Sequence, residues 1–266
     1  MKELTVKNTF NKINSGVLLI PENIKQIKID VGLAGEAPNS ALWLSETEDR
    51  FVIGVEPLDY HWGMIKNFET SNTLRPYPHN FKILQTEEGV VKLNKQNICE
   101  IGDRFCGISA AIDDIDGIKK RLFYQTTRVE GASGASSLLK HNSSHPQGND
   151  IEAVFEVNTI SLKSILDYIP WDRFKYIEHI KTDCEGYDYT VVKSIGEYLD
   201  RIVYISSEML RRDLWDEKPS DHDFIDFMKS NNFAILNESG GEINFVNTKL
   251  QHKIIEDGLN NRTLGL

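Results

Sequence analysis

Tyr176-Ile177-Glu178-His179-Ile180-Lys181-Thr182-Asp183-Cys184-Glu185-Gly186-Tyr187-Asp188 is the stretch on which the fold turns. It opens as a short, branched strand signal and closes on three acids around a glycine. A helical pattern follows, with Val191, Val192, Ile195 and Leu199 on one face of Tyr189 to Leu199. Strand, acidic turn and helix make one unit of an α/β domain with a parallel sheet. In such sheets ligands sit beyond the carboxyl ends of the strands. Asp183 and Glu185 fall there, and alternate positions on extended chain point the same way. Two such carboxylates can serve as a base, orient a hydroxyl or hold a metal. They can equally cap the following helix.

Working outward, Ile24 to Val31, Phe51 to Val55 and Arg201 to Ser207 read as further buried strands. Ser161, Leu162, Ile165, Leu166 and Ile169 follow helical spacing, with Pro170 as a stop. Asp221 to Asn231 is a second helix, capped by Ser220 or Asp221. Phe233 to Leu236 and Ile243 to Val246 flank a turn-rich stretch, predicting an antiparallel hairpin that closes the sheet. Thr126 to Asp150, rich in Gly, Ser, Asn and His, reads as a long mobile loop. No linker interrupts residues 1–266, so one domain is expected, with residues 1–23 as an N-terminal extension and 126–150 as the loop.

The balance of 30 basic and 40 acidic residues leaves a net charge of −10, which disfavours a nucleic-acid partner. No apolar run is long enough to span a membrane. Met1 to Ser15 lacks the pattern of a signal peptide, and three sparse cysteines, Cys99, Cys106 and Cys184, suit reduced thiols. A cytoplasmic location follows as an expectation.

Two more strand ends carry chemistry. Ile29-Asp30-Val31-Gly32-Leu33-Ala34-Gly35 ends a strand in an acid followed by two glycines. Glycine lets a ligand approach the backbone, and Asp30 suits an ammonium group. A tight turn is the plain alternative. About twenty residues on, Gly54-Val55-Glu56-Pro57 ends the next strand, where an acid grips the ribose hydroxyls of a nucleotide. No Gly-x-Gly-x-x-Gly is present, and Asp30 would repel a pyrophosphate. Both points favour a cationic methyl donor over a nicotinamide cofactor, whose oxidoreductase chemistry is the first alternative.

These motifs together resemble the FkbM family of S-adenosylmethionine-dependent methyltransferases. Asp30-Val31-Gly32 resembles its first motif and Gly54-Val55-Glu56-Pro57 its ribose-binding strand end. Ala110-Ala111-Ile112-Asp113 with Gly117, and Gly134-Ala135-Ser136-Ser137-Leu138, resemble its middle elements. Lys181 to Asp188 followed by Val191-Val192-Lys193 resembles its hallmark. Leu33 to Asn39 departs from the family's glycine loop, which motivates a second alternative, a non-catalytic binding module.

The resemblance implies a class I methyltransferase, Rossmann-like: a seven-stranded, mostly parallel sheet with helices on both faces. It implies S-adenosylmethionine as cofactor and O-methylation of a carbohydrate or small metabolite. Donor contacts are expected from Asp30, Gly32, Gly35, Glu56, Pro57, Ala111, Ile112 and Ser137. Catalytic roles are expected from Asp183, Glu185 and Glu208, the last following its own strand. A divalent metal on these acids is not favoured. Tyr60, His61 and Trp62 could cover the adenosine, but plain packing is the expectation; His141 and His145 are expected to be exposed, and Cys184 to be a buried filler. Trp215 and the charges around it are expected in a solvated connection bordering the acceptor.

Overall fold

The computed structural model describes residues 13–14, 17–18, 20–35, 37–59, 61–62, 83–85, 91–93, 104–126, 135–142, 151–209 and 214–250. Among these residues, fourteen strands and four α-helices are taken in chain order. Ile13–Asn14 (β1) and Val17–Leu18 (β2) pair with each other. Gln26–Val31 (β3), Pro38–Glu46 (α1) and Arg50–Val55 (β4) follow, then Ile83–Gln85 (β5), Val91–Leu93 (β6) and Phe105–Ile108 (β7). Ala111–Ile112 (β8), Lys119–Thr126 (β9) and Ile151–Ile160 (β10) come next. Leu162–Leu166 (α2), Ile177–Thr182 (β11), Asp188–Lys193 (α3) and Ile202–Glu208 (β12) lead to Asp221–Ser230 (α4), Phe233–Ser239 (β13) and Glu242–Asn247 (β14).

The large sheet has the order β13-β14-β12-β11-β3-β4-β7-β6-β5. Its centre, β12-β11-β3-β4-β7, is parallel throughout. β14 runs against β12 and β13, and β6 runs against β7 and β5. Among the described residues the sheet thus has nine strands, where seven were expected. The extra pair, β5 and β6, has three residues in each strand, too few to show a pattern in the sequence. The expected C-terminal hairpin is present, turning at Gly240-Gly241 between β13 and β14.

Parallel pairing needs crossovers, and these set the layers. His179 pairs with Tyr204, and Tyr204 with Val246, so all three share a face. Trp43 of α1 meets His179 at a ring separation of 5.1 Å. Phe224 of α4 meets Phe245, which points the other way, at 5.5 Å. Helices α1 and α4 therefore cover opposite faces. Between them lies a core that includes Ile27, Ile29, Ile53, Ile177, Ile180 and Phe245, all at 0% exposure. Each such side chain contributes roughly 1.5–3 kcal/mol by leaving water.

One buried charge group sits inside this frame. Lys28 Nζ lies 3.6 Å from Glu178, and Arg50 Nε lies 3.7 Å from the same carboxylate. Lys28 also lies 4.8 Å from the Trp43 ring centre, tying α1 to the sheet. Burial, resisted by Glu178, brings the Lys28 pKa down to about 8.

A smaller sheet, β8-β10-β9, stands beside the first. β9 and β10 form a long antiparallel ribbon. The Thr126 to Asp150 loop is the connection of this ribbon, and its residues 127–134 and 143–150 lie outside the described residues. Its described part is tied down: Tyr124 and Ser137 form a bridge, as do His141 and Trp215. His141 and Trp215 are both buried, against the expectation of exposure, because each packs on the other at 5.4 Å. His145 lies outside the described residues. No helix among the described residues is long and apolar enough to cross a membrane.

Candidate active site

Strands β3, β4, β11 and β12 end around one cavity of about 360 Å³. Gly32 makes this convergence sterically feasible. It has φ +81°, and a Cβ placed on it would lie 2.0 Å from the carbonyl oxygen of Asp183. Only glycine lets the end of β3 pass so close to the end of β11. The Asp183 N–H donates to the Val31 carbonyl at 3.0 Å and locks the two ends together.

On the β4 side, Glu56 lines the cavity. Its carboxylate accepts the N–H of Ala34 at 3.1 Å and of Leu58 at 2.9 Å, one on each oxygen. His61 Nδ1 lies 3.1 Å away, and Trp62 Nε1 donates to the Glu56 carbonyl at 2.9 Å. Burial opposes charge on His61, but Glu56 outweighs it and raises the His61 pKa. Oε1 faces both Leu58 and His61, while Oε2, which accepts only Ala34, keeps a second lone pair for a ligand hydroxyl. The expected packing of His61 and Trp62 is thus seen in detail, while Tyr60 lies outside the described residues.

On the β11 and β12 side, Asp183, Glu185 and Glu208 bring three carboxylate oxygens within 4.8 Å of one another. The turn after β11, which carries Asp183 and Glu185, is strained, while Glu208 ends β12. Glu185 has φ +52° and Gly186 φ +86°. Trp215 lies against Gly186, so a side chain could not replace that hydrogen. Asp188 clamps the turn from below. Its buried carboxylate accepts from Thr182 Oγ1 at 2.6 Å and from the Cys184 N–H at 3.3 Å. Burial pushes the Asp188 pKa up to about 7. Neither Asp183 nor Glu185 caps α3, whose N-cap position is Tyr187 and has no side-chain cap bond.

Lys181 Nζ pairs with Asp183 at 2.8 Å. Burial would lower the Lys181 pKa, but Asp183 and Asp30 more than reverse it. For Glu208, burial and the charges of Glu185 and Asp183 act together, and its carboxyl is pushed far above the ordinary range. Asp183 lies within hydrogen-bonding reach of it, and among the described residues no donor reaches its buried Oε2. Crowded carboxylates relax by sharing protons or by taking up a cation. The cluster is open to both.

Eight of the eleven residues expected at the site line the cavity: Gly32, Glu56, Pro57, Ala111 and Ile112 beside the three acids. Asp30, Gly35 and Ser137 do not. Asp30 is turned into α1, where it accepts Ser40 Oγ at 2.6 Å and Ser40 N–H at 2.9 Å. Ser137 donates to the Cys184 carbonyl at 3.2 Å, stapling the loop to the acidic turn, and its neighbour Ser136 lines the cavity instead. Cys184 is half-buried and lines the cavity, so it is more than a filler. Phe123, Leu138 and Tyr187 also line it. Tyr187 stood in the hallmark, whereas Phe123 sits on a strand that the sequence did not reveal.

The strand ends of this α/β sheet thus gather Glu56 and an acid cluster over one cavity, where ligands of such sheets sit. Residues 63–235 match the methyltransferase FkbM domain, and the chain belongs to that family. The match spans β5 to β13, so it includes the acid cluster but not Asp30, Gly32 or Glu56. No curated protein matches the chain.

Proposed function

We propose that this protein is an S-adenosylmethionine-dependent O-methyltransferase acting on a hydroxyl of a carbohydrate or small metabolite. One observation carries the reading. Glu56 and the acid cluster Asp183, Glu185 and Glu208 line a single cavity over the strand ends. The donor fits the chemistry of that wall. Glu56, Asp183 and Glu185 face the cavity as carboxylates beside the neutral acid of Glu208 and one histidine, a field that favours a cationic sulfonium and disfavours a pyrophosphate. Glu56 Oε2 has a lone pair free for a ribose hydroxyl, and Ala111 and Ile112 offer apolar walls to a purine.

When bound, S-adenosylmethionine supplies an activated methyl group. The work left to the chain is placement and proton removal. Asp183, half-buried and oriented by Lys181 and Glu208, takes the proton of the acceptor hydroxyl. Glu208, held protonated, hydrogen-bonds Asp183 and limits charge repulsion in the cluster. Glu185 fixes the strained turn. The reading takes a shared proton, not a divalent ion, as the answer to this crowding. A cytoplasmic setting and a small-molecule partner belong to the same reading.

Incubation with methyl-labelled S-adenosylmethionine and a panel of sugars and hydroxylated metabolites tests it. Label in a product stable to mild base indicates an ether and supports O-methylation. Label on nitrogen or carbon, or none across acceptors that bind, contradicts it.

A further inference from the structure

The ribbon β9–β10 carries groups that methyl transfer does not use. In an antiparallel pair, directly opposed residues share a face. Phe123 opposes Phe155, and Arg121 opposes Val157, so these four form one face. Phe123 lines the cavity, which identifies this face as the one turned to the site. Yet Phe155 is 43% exposed, an aromatic ring left in water beside the cavity wall.

Arg121 stands two residues from Phe123 on the same face. Its Nη1 donates to Asp113 at 3.0 Å and to Tyr187 Oη at 2.6 Å, while Tyr187 Oη donates to Asp113 at 2.6 Å. The guanidinium carbon lies 5.6 Å from the centre of the Tyr187 ring, a cavity residue. One corner of the guanidinium is therefore fixed to the wall. The other N–H groups, on Nε and Nη2, have no partner among the described residues, and the side chain is 40% exposed. A planar fork with a held corner and a free edge is preorganised for an oxyanion. The interior of the cavity is acidic, so an anionic group on a ligand would be driven outward, toward Arg121.

We infer that Arg121 and Phe155 form an acceptor subsite at the cavity edge that selects hydroxylated acceptors bearing a carboxylate or phosphate. The subsite rests on the methyl-transfer reading. It deepens it by giving the acceptor two parts: a hydroxyl that reaches Asp183 and an oxyanion held outside by Arg121. Phe155 packs on the ring or chain that joins them.

Phenyl phosphate and benzoate test the subsite without the true acceptor. The full chain, labelled with nitrogen-15 arginine, is titrated with each compound and with neutral phenol, in the presence and absence of S-adenosylhomocysteine. The expected result is a saturable shift of the Arg121 Nε signal with an oxyanion and none with phenol, while the remote Arg173 and Arg201 stay still. Arg121→Gln should weaken oxyanion binding by roughly tenfold or more, and Phe155→Ser should weaken it less. The stronger of the two oxyanions names the acceptor's charged group. No Arg121 shift, the same shift with phenol, or equal binding by Arg121→Gln overturns the subsite. Failure of S-adenosylhomocysteine to bind the wild type would instead strike the methyl-transfer reading, and the oxyanion titrations would still stand by themselves.

Discussion

Gly32→Ala is the sharpest perturbation of the site's architecture. The new Cβ would lie 2.0 Å from the Asp183 carbonyl oxygen and 3.0 Å from its carbon. Ordinary C···O contacts are about 3.3–3.6 Å, so β3 and β11 must part by more than an ångström. The Asp183 to Val31 hydrogen bond resists that movement. Holding alanine at φ +81° adds about 1–2 kcal/mol. Forcing a methyl into packed backbone adds about 1–3 kcal/mol. The stiffer unfolded chain returns roughly 0.4–1 kcal/mol. The net expectation is a loss of about 1–4.6 kcal/mol, read from urea midpoints at an unchanged slope. Turnover of the fraction that remains folded should also fall, because the shifted atom belongs to Asp183. A variant that loses less than about 1 kcal/mol and keeps full turnover would refute the close approach as the reason for this glycine.

Glu56→Ala should weaken S-adenosylmethionine roughly 10- to 100-fold by titration, the scale of one or two charge-assisted hydrogen bonds; unchanged affinity in a folded variant rejects the ribose assignment. Asp183→Asn should lower kcat by about 10²-fold or more with little change in donor affinity. If turnover of the wild type is abolished by chelation and restored by magnesium or manganese, the cluster acts through a metal instead of a shared proton. Burial and the charges of Glu185 and Asp183 raise the Glu208 pKa above its ordinary value of 4.5, toward the protonated acid. Its stabilising contribution is complete below about pH 4.5 and is lost progressively as pH rises toward the folded pKa, by at most ~1.4 kcal/mol per pH unit. Glu208→Gln, which mimics the neutral acid, should therefore gain stability relative to wild type between pH 5 and pH 8. An equal gap at both pH values would mean that Glu208 is ionised in the fold.

The sequence shows the elements that bury apolar runs and hides those that do not. Strands β3, β4, β11 and β12 were legible within two residues at each end, because branched residues fill them. Lys28 and Glu178 did not spoil that reading, since the fold buries them against Arg50 and Trp43. Helix α4 and its Ser220 cap were legible from spacing and chemistry, and Ser220 Oγ does accept the His222 and Asp223 N–H groups. Helix α1 is not legible because it begins at Pro38 inside the turn-rich stretch Leu33 to Asn39 and has no side-chain cap at Ala37. The ribbon β9–β10 was missed because a Gly- and Ser-rich connection masks two polar strands whose pairing is non-local. Of the site, the acids at strand ends were visible from position alone. Asp30 shows the limit of that rule: the strand direction places it near the site, but its side chain turns to Ser40. Arg121 and Phe155 were beyond reach, since only the register of the ribbon sets them beside the cavity.

The central claim is that the cavity binds a cationic adenosyl donor. Isothermal titration of the wild-type chain with S-adenosylmethionine, S-adenosylhomocysteine and NAD measures this directly. The account predicts saturable binding of both adenosyl sulfur compounds at one site per chain, abolished or strongly weakened in Glu56→Ala, and no heat from NAD. Binding of NAD without either sulfur compound, or no binding of any of the three to folded protein, would contradict it.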